Sequence, residues 1–112
     1  MIHYGMTKTA QLAVSRGLAE YCGGTGVTVN SILPGPTCSA GLEDFVTQVG
    51  GGASFEAFEE EFFKSVRPSS LIKRFETTDV IARLATSVCS PVASAINGAV
   101  LRVDGGVVSS CF

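Results

Sequence analysis

Ala10, Leu12, Ala13, Val14, Leu18 and Ala19 lie in a stretch that no proline interrupts. They predict a helix from about Tyr4 to Cys22. Gly23, Gly24 and Gly26 end it, since glycine supplies the left-handed conformation of a helix C-cap. Gly17, inside the pattern, costs about 1 kcal/mol relative to alanine and leaves room for another helix to approach closely. Val27-Thr28-Val29-Asn30-Ser31-Ile32 then reads as a short strand. Pro34-Gly35-Pro36 stops it, because neither proline can donate to a sheet ladder. A polar, glycine-rich stretch follows, including Gly50-Gly51-Gly52 and flanking two weaker helical pieces. In the second piece Phe55, Phe58, Phe62 and Phe63 recur at one-face helical spacing, beside the crowded Glu59, Glu60 and Glu61. The stripe has two readings, an amphipathic helix packing on its own core or a mobile lid over an apolar substrate. Further on, Thr77 is placed as an N-cap with Asp79 favouring the helix dipole. Ile81, Leu84, Ala85 and Val88 form the apolar stripe of that helix, and Pro91 closes it. Asn97-Gly98 makes a turn into a second strand, Ala99-Val100-Leu101-Arg102-Val103, ended by Asp104-Gly105-Gly106.

The order is helix, strand, insertion, helix, strand. A strand-helix-strand unit implies two parallel strands joined by a right-handed crossover. Parallel strands are normally covered on both faces, and two alone make a marginal sheet. The α/β pattern therefore reads as one side of a larger doubly wound sheet, incomplete as it stands. Composition agrees. With 46% hydrophobic and 16% charged residues in 112, the chain is no disordered tail. So few charges on so small a domain imply that some apolar surface meets other protein. A net charge of −2 offers no footprint for nucleic acid or an anionic membrane. Apolar runs are interrupted before the roughly 18 residues a membrane span needs. Met1-Ile2-His3-Tyr4-Gly5 lacks the pattern of a signal peptide, so a cytoplasmic protein is expected. Cys22, Cys38, Cys89 and Cys111 form no CxxC pair, and His3 alone cannot complete a zinc set. They read as small apolar residues in or near a reduced core, with a disulfide or a reactive thiol as the alternative and no metal expected.

The candidate chemistry sits at the start of the first helix, in Tyr4-Gly5-Met6-Thr7-Lys8. Side chains at i and i+4 share a helix face, so a phenol and an ammonium can act on one small volume. An ammonium held near a phenol favours the phenolate and makes proton exchange with an alcohol or carbonyl feasible. The same spacing also describes an ordinary surface pair.

Three ordered motifs extend this: the Tyr-x-x-x-Lys helix, Val29-Asn30-Ser31-Ile32-Leu33-Pro34-Gly35, and Leu101-Arg102-Val103-Asp104-Gly105-Gly106. With Arg74-Phe75 before the Thr77 helix and Ser90-Pro91 after it, the whole chain resembles the classical short-chain dehydrogenase/reductases. The resemblance implies the C-terminal portion of a Rossmann-like doubly wound parallel sheet, over residues 1–112. It makes Tyr4 the catalytic acid/base. Lys8 would hydrogen-bond the nicotinamide ribose and favour the phenolate of Tyr4. Pro34 and Gly35 would shape the loop against the nicotinamide face. Thr37 would offer its backbone to the carboxamide, and Ser39 stands nearer the register of a cofactor-binding threonine. Residues 41–66 would be the substrate loop or lid, and Asp104-Gly105-Gly106 a structural turn near a subunit contact. The cofactor implied is NAD or NADP, the substrate a small carbonyl or alcohol compound, and the assembly a homo-oligomer or an association with full-length relatives.

The family's glycine-rich phosphate turn finds no counterpart: Gly23, Gly24 and Gly26 follow a helix, and Gly50 to Gly52 follow no strand. The catalytic serine, about a dozen residues before the tyrosine in the family, has no counterpart either. Two functional expectations follow. One is an NAD(P)-dependent oxidoreductase interconverting a carbonyl and an alcohol as part of a full-length chain. The other is an inactive remnant that acts by associating with other subunits.

Overall fold

The computed structural model describes residues 2–49 and 54–111. The chain divides into two units, Met1–Leu33 with Leu84–Arg102, and Pro34–Arg83 with Val103–Phe112. Gly50 to Gly52 lie outside the described residues. The elements in order are α1 (Ile2–Tyr21), β1 (Ser31–Pro34), β2 (Thr37–Cys38), α2 (Ala40–Val49), α3 (Phe55–Ser65), β3 (Glu76–Thr77), α4 (Thr78–Val88) and β4 (Val100–Val103).

In the first unit, α1 ends as its glycines dictate. Gly24 and Gly26 take φ of 78° and 80°, and Gly23 N donates to Glu20 O at 3.1 Å. Of its residues only Ala19 is buried, and a Cβ on Gly17 would meet nothing within 4 Å. The room left at Gly17 is therefore not taken by another helix among the described residues. The strand expected from Val27 begins at Ser31, for a reason the sequence hides. Ahead of the ladder, side chains do the pairing. Asn30 Nδ2 donates to Ile96 O at 2.8 Å while its Oδ1 accepts from Ala99 N at 3.0 Å, and Asn97 Oδ1 accepts from Val29 N at 2.9 Å. Pro34 does not cut the strand short but forms its last residue, and the next N–H, of Gly35, donates to Val103 O at 2.9 Å. β1 pairs with β4. The bonds from Ser31 N to Ala99 O and from Gly35 N to Val103 O advance in the same sense on both strands, so the pair is parallel.

Asn30 makes two backbone bonds through one side chain, so its removal orphans a donor and an acceptor together. Asn30→Ala is expected to lower stability by about 2 kcal/mol, read as a lower urea midpoint at unchanged slope. A loss below about 0.5 kcal/mol would mean that water replaces the amide there.

The second unit is organised around Phe75, 6% exposed. Its ring lies 5.9 Å from that of Phe55, 6.1 Å from Phe58, 4.9 Å from Phe62 and 5.1 Å from Phe63. Each such pair adds about 0.5–1.5 kcal/mol beyond burial. The aromatic stripe of α3 is thus accounted for by packing on Phe75. Ser54 caps the helix, accepting from Ala57 N at 3.3 Å, and Glu59 Oε1 accepts from Phe75 N at 2.6 Å. A second parallel pair joins Thr37 to Glu76 and Cys38 to Thr77. Thr77 therefore closes β3 and immediately precedes α4. α4 stops at Val88, before Pro91, which instead opens a 3-10 turn over Pro91–Ala93. The cysteines depart from expectation: none of the four is buried, Cys22 and Cys38 being half-buried and Cys89 and Cys111 exposed.

Candidate active site

Tyr4 and Lys8 stand one turn apart on α1, both exposed, with Lys8 Nζ 5.5 Å from the centroid of the Tyr4 ring. At that distance the ammonium interacts with the ring face, and it also donates to Gln11 Oε1 at 3.5 Å. Thr7 and Thr9 turn their hydroxyls back onto the carbonyls of Tyr4 and Gly5, at 2.8 and 2.9 Å. The i,i+4 reading holds: the two groups share one volume open to solvent.

The other residues singled out cluster in the second unit. Pro34 is exposed at the end of β1, Gly35 and Thr37 are half-buried, and Ser39 is exposed immediately ahead of α2. Thr37 Oγ1 donates to Gly35 O at 2.9 Å, which folds the segment into a tight bend. Gly35 is glycine for a reason internal to the protein. A Cβ there would stand 2.6 Å from Asp104 Cα and 2.8 Å from Asp104 C and O. Asp104 in turn holds its own turn closed, Oδ1 accepting from Gly106 N at 3.0 Å and Oδ2 from Val108 N at 3.1 Å. Gly105 and Gly106 adopt φ of 62° and 77°, a region costly to other residues. The Asp-Gly-Gly run forms a turn held by its own side chain and by two glycines of positive φ. Along residues 41–66, α3 lines an open groove of about 420 Å³ with Glu56, Glu59, Glu60, Phe63 and Lys64, together with Lys73.

Glu76 stands outside the residues that sequence patterns mark for chemistry. It is 3% exposed, and its Oε2 is buried without a hydrogen-bond partner. Burial, and then the charge of Asp104, hold its carboxyl above the usual carboxylate range, against a weaker pull from Arg74.

Comparison with known proteins places this arrangement. A family described as enoyl-(acyl carrier protein) reductase matches residues 1–108. The uncharacterized oxidoreductase YvaG of Bacillus subtilis is 46% identical over 114 residues, which cover 100% of this chain and 43% of that protein. The isoepoxydon dehydrogenase patN of Aspergillus clavatus is 32% identical, over 93% of this chain and 37% of that protein. Among solved structures, YwfH, an NADPH-dependent reductase involved in bacilysin biosynthesis, is 25% identical with a TM-score of 0.78, over 98% of this chain and 41% of YwfH. The L-sorbose reductase of Gluconobacter frateurii, solved with NADPH and L-sorbose, has a TM-score of 0.83 at 24% identity, over 96% of this chain and 40% of the reductase, and shares the fold. The chain belongs to the short-chain dehydrogenase/reductase family, whose members use NAD(P). Its fold is part of that family's Rossmann-like parallel sheet, and it spans between about a third and a little over two-fifths of the length of the curated relatives it matches. No helix among the described residues is long and apolar enough to cross a membrane.

Proposed function

We propose that these residues form the acid/base and nicotinamide-facing part of an NAD(P)-dependent oxidoreductase that interconverts a small carbonyl compound and an alcohol. The observation that carries the reading is the Tyr4–Lys8 pair, a phenol and an ammonium on one exposed helix face with the charge 5.5 Å from the ring. Tyr4 gives its phenolic proton to a carbonyl oxygen, or takes one from an alcohol, as the adjoining carbon changes oxidation state. Lys8 stabilises the phenolate by its charge and has donors to offer a ribose hydroxyl. Pro34, Gly35, Thr37 and Ser39 form the loop against the nicotinamide, Thr37 through its backbone, and residues 41–66 form the substrate loop.

The donor set suits the nicotinamide and ribose end of such a cofactor, which when bound supplies or accepts the hydride. The pyrophosphate is not provided for in the same way. Among the described residues no glycine run both follows a strand and opens a helix, the arrangement that cradles phosphate. The reading therefore places cofactor affinity largely outside these 112 residues and gives this chain the proton chemistry. We place the protein in the cytoplasm, as a homo-oligomer or in association with full-length relatives. The rings of α3 pack on Phe75, so its aromatic stripe gives no preference for an apolar substrate.

Lys8 offers a direct test in the polypeptide that carries these residues. Lys8→Met is expected to weaken NADPH binding by about tenfold or more, the worth of a hydrogen bond to a charged group, and to slow turnover with it. Unchanged affinity and turnover would remove Lys8 from the site and sink the reading.

A further inference from the structure

In the second unit, the turn after β4 closes over Glu76. Gly105 O accepts from Leu71 N at 2.8 Å and from Ile72 N at 3.2 Å, and a Cβ on Gly105 would stand 3.3 Å from Glu76 Oε1. Glu76 N donates to Pro36 O at 2.9 Å, so the backbone of this residue is fixed. Its side chain is enclosed: the residue is 3% exposed, and Oε2 is buried without a hydrogen-bond partner. An ionised carboxylate in that position holds an uncompensated charge, whereas a protonated one carries no charge to desolvate.

Of the charged groups nearby, only Arg74 favours the ionised form, and its pull is weaker than burial and the charge of Asp104. Asp104, on the turn, contributes a second negative charge, and both its oxygens are occupied by Gly106 N and Val108 N. Arg74, leading into β3, directs Nη1 to Phe75 O at 3.1 Å. Glu59, on α3, is engaged with Phe75 N, and Lys73 Nζ donates to Pro68 O at 2.6 Å. We propose that Glu76 is a proton-operated latch: as the neutral acid it lets the Asp104–Gly106 turn close on Leu71 and Ile72, and its ionisation loosens that turn. Gly35 packs on the Asp104 backbone, so the loop proposed to face the nicotinamide loosens with it. This last consequence rests on the reading of Gly35 given above.

The direction with pH follows from linkage. The raised carboxyl of Glu76 means that the native state binds more protons than the unfolded state, from the ordinary carboxylate range up to the native titration point. Stability contributed here is full below that window, falls as pH rises through it, and is level above.

The test is amide hydrogen exchange of the 112-residue chain, corrected for intrinsic rates, at Leu71, Ile72, Gly106 and Val108 from acid to neutral pH. Protection at these amides is expected to fall across the range, and Glu76→Gln should remove the dependence. A flat wild-type profile, or the same slope in the variant, overturns the proposal. If the variant does not fold, a carbon-detected NMR titration of the Glu76 carboxyl in the wild-type chain decides instead. Titration above the ordinary carboxylate range supports the latch, and titration within or below that range overturns it. Neither measurement uses cofactor or turnover, so failure here leaves the proposed function intact, and its failure leaves the latch standing.

Discussion

Gly35→Ala is expected to destabilise the protein by about 3 kcal/mol, the upper range for forcing an added carbon into a packed site. The carbon would stand 2.6 Å from Asp104 Cα and 2.8 Å from Asp104 C and O, which are backbone atoms that no rotamer change can move aside. Gly35 itself cannot shift away. Its N–H donates to Val103 O at 2.9 Å and its carbonyl accepts from Thr37 Oγ1 at 2.9 Å. A domain of this kind has only about 5–15 kcal/mol in hand, so the urea midpoint should fall by roughly 1–2 M. An unchanged midpoint would show that the two segments do not pack as described. The result also bears on function, because loss of cofactor binding in this variant would come from a displaced loop rather than a lost contact.

Tyr4→Phe carries the other large effect. In the polypeptide that contains these residues, turnover is expected to fall by about 10²–10⁴-fold, the usual worth of a positioned acid/base, while NADPH affinity stays within about twofold. Tyr4 is 52% exposed, so removing its oxygen leaves no buried group unpaired. The ring that lies near Lys8 is retained in phenylalanine. Measured kcat and cofactor Kd separate the outcomes. Loss of both in proportion would make the tyrosine a structural residue, and retention of both would remove it from the chemistry.

What could be read from the sequence was local. The Tyr4–Lys8 juxtaposition is an i,i+4 relation and needs only a helix, which the proline-free run supplied. α1 and α4 lie close to their expected bounds because glycine, threonine and aspartate mark helix ends chemically. The two-residue strands β2 and β3 were invisible, since so short a segment has no period to detect. Periodicity located the phenylalanine stripe but could not say what it meets. The answer, Phe75, lies in a different segment of the chain. Gly35 was singled out for a cofactor, while the atoms that require a glycine there belong to Asp104, far along the chain. Glu76 is not legible in the sequence because a glutamate is expected at the surface, and its burial arises only when the distant turn at Asp104–Gly106 closes over it.

The Asn97–Gly98 turn has a consequence for how the protein ages. In an Asn-Gly sequence the glycine nitrogen readily attacks the side-chain amide carbon and expels ammonia, and water then opens the resulting cyclic imide to aspartate or to an isomer with an added main-chain carbon. Here Gly98 N is engaged with Val29 O at 2.8 Å, while Asn97 Oδ1 accepts from Val29 N at 2.9 Å. One residue of the facing segment thus restrains both the attacking nitrogen and the group attacked. The folded chain shields the site and the unfolded chain exposes it, so chemical damage at Asn97 accumulates in proportion to the time the first unit spends open. Shelf life becomes a record of stability.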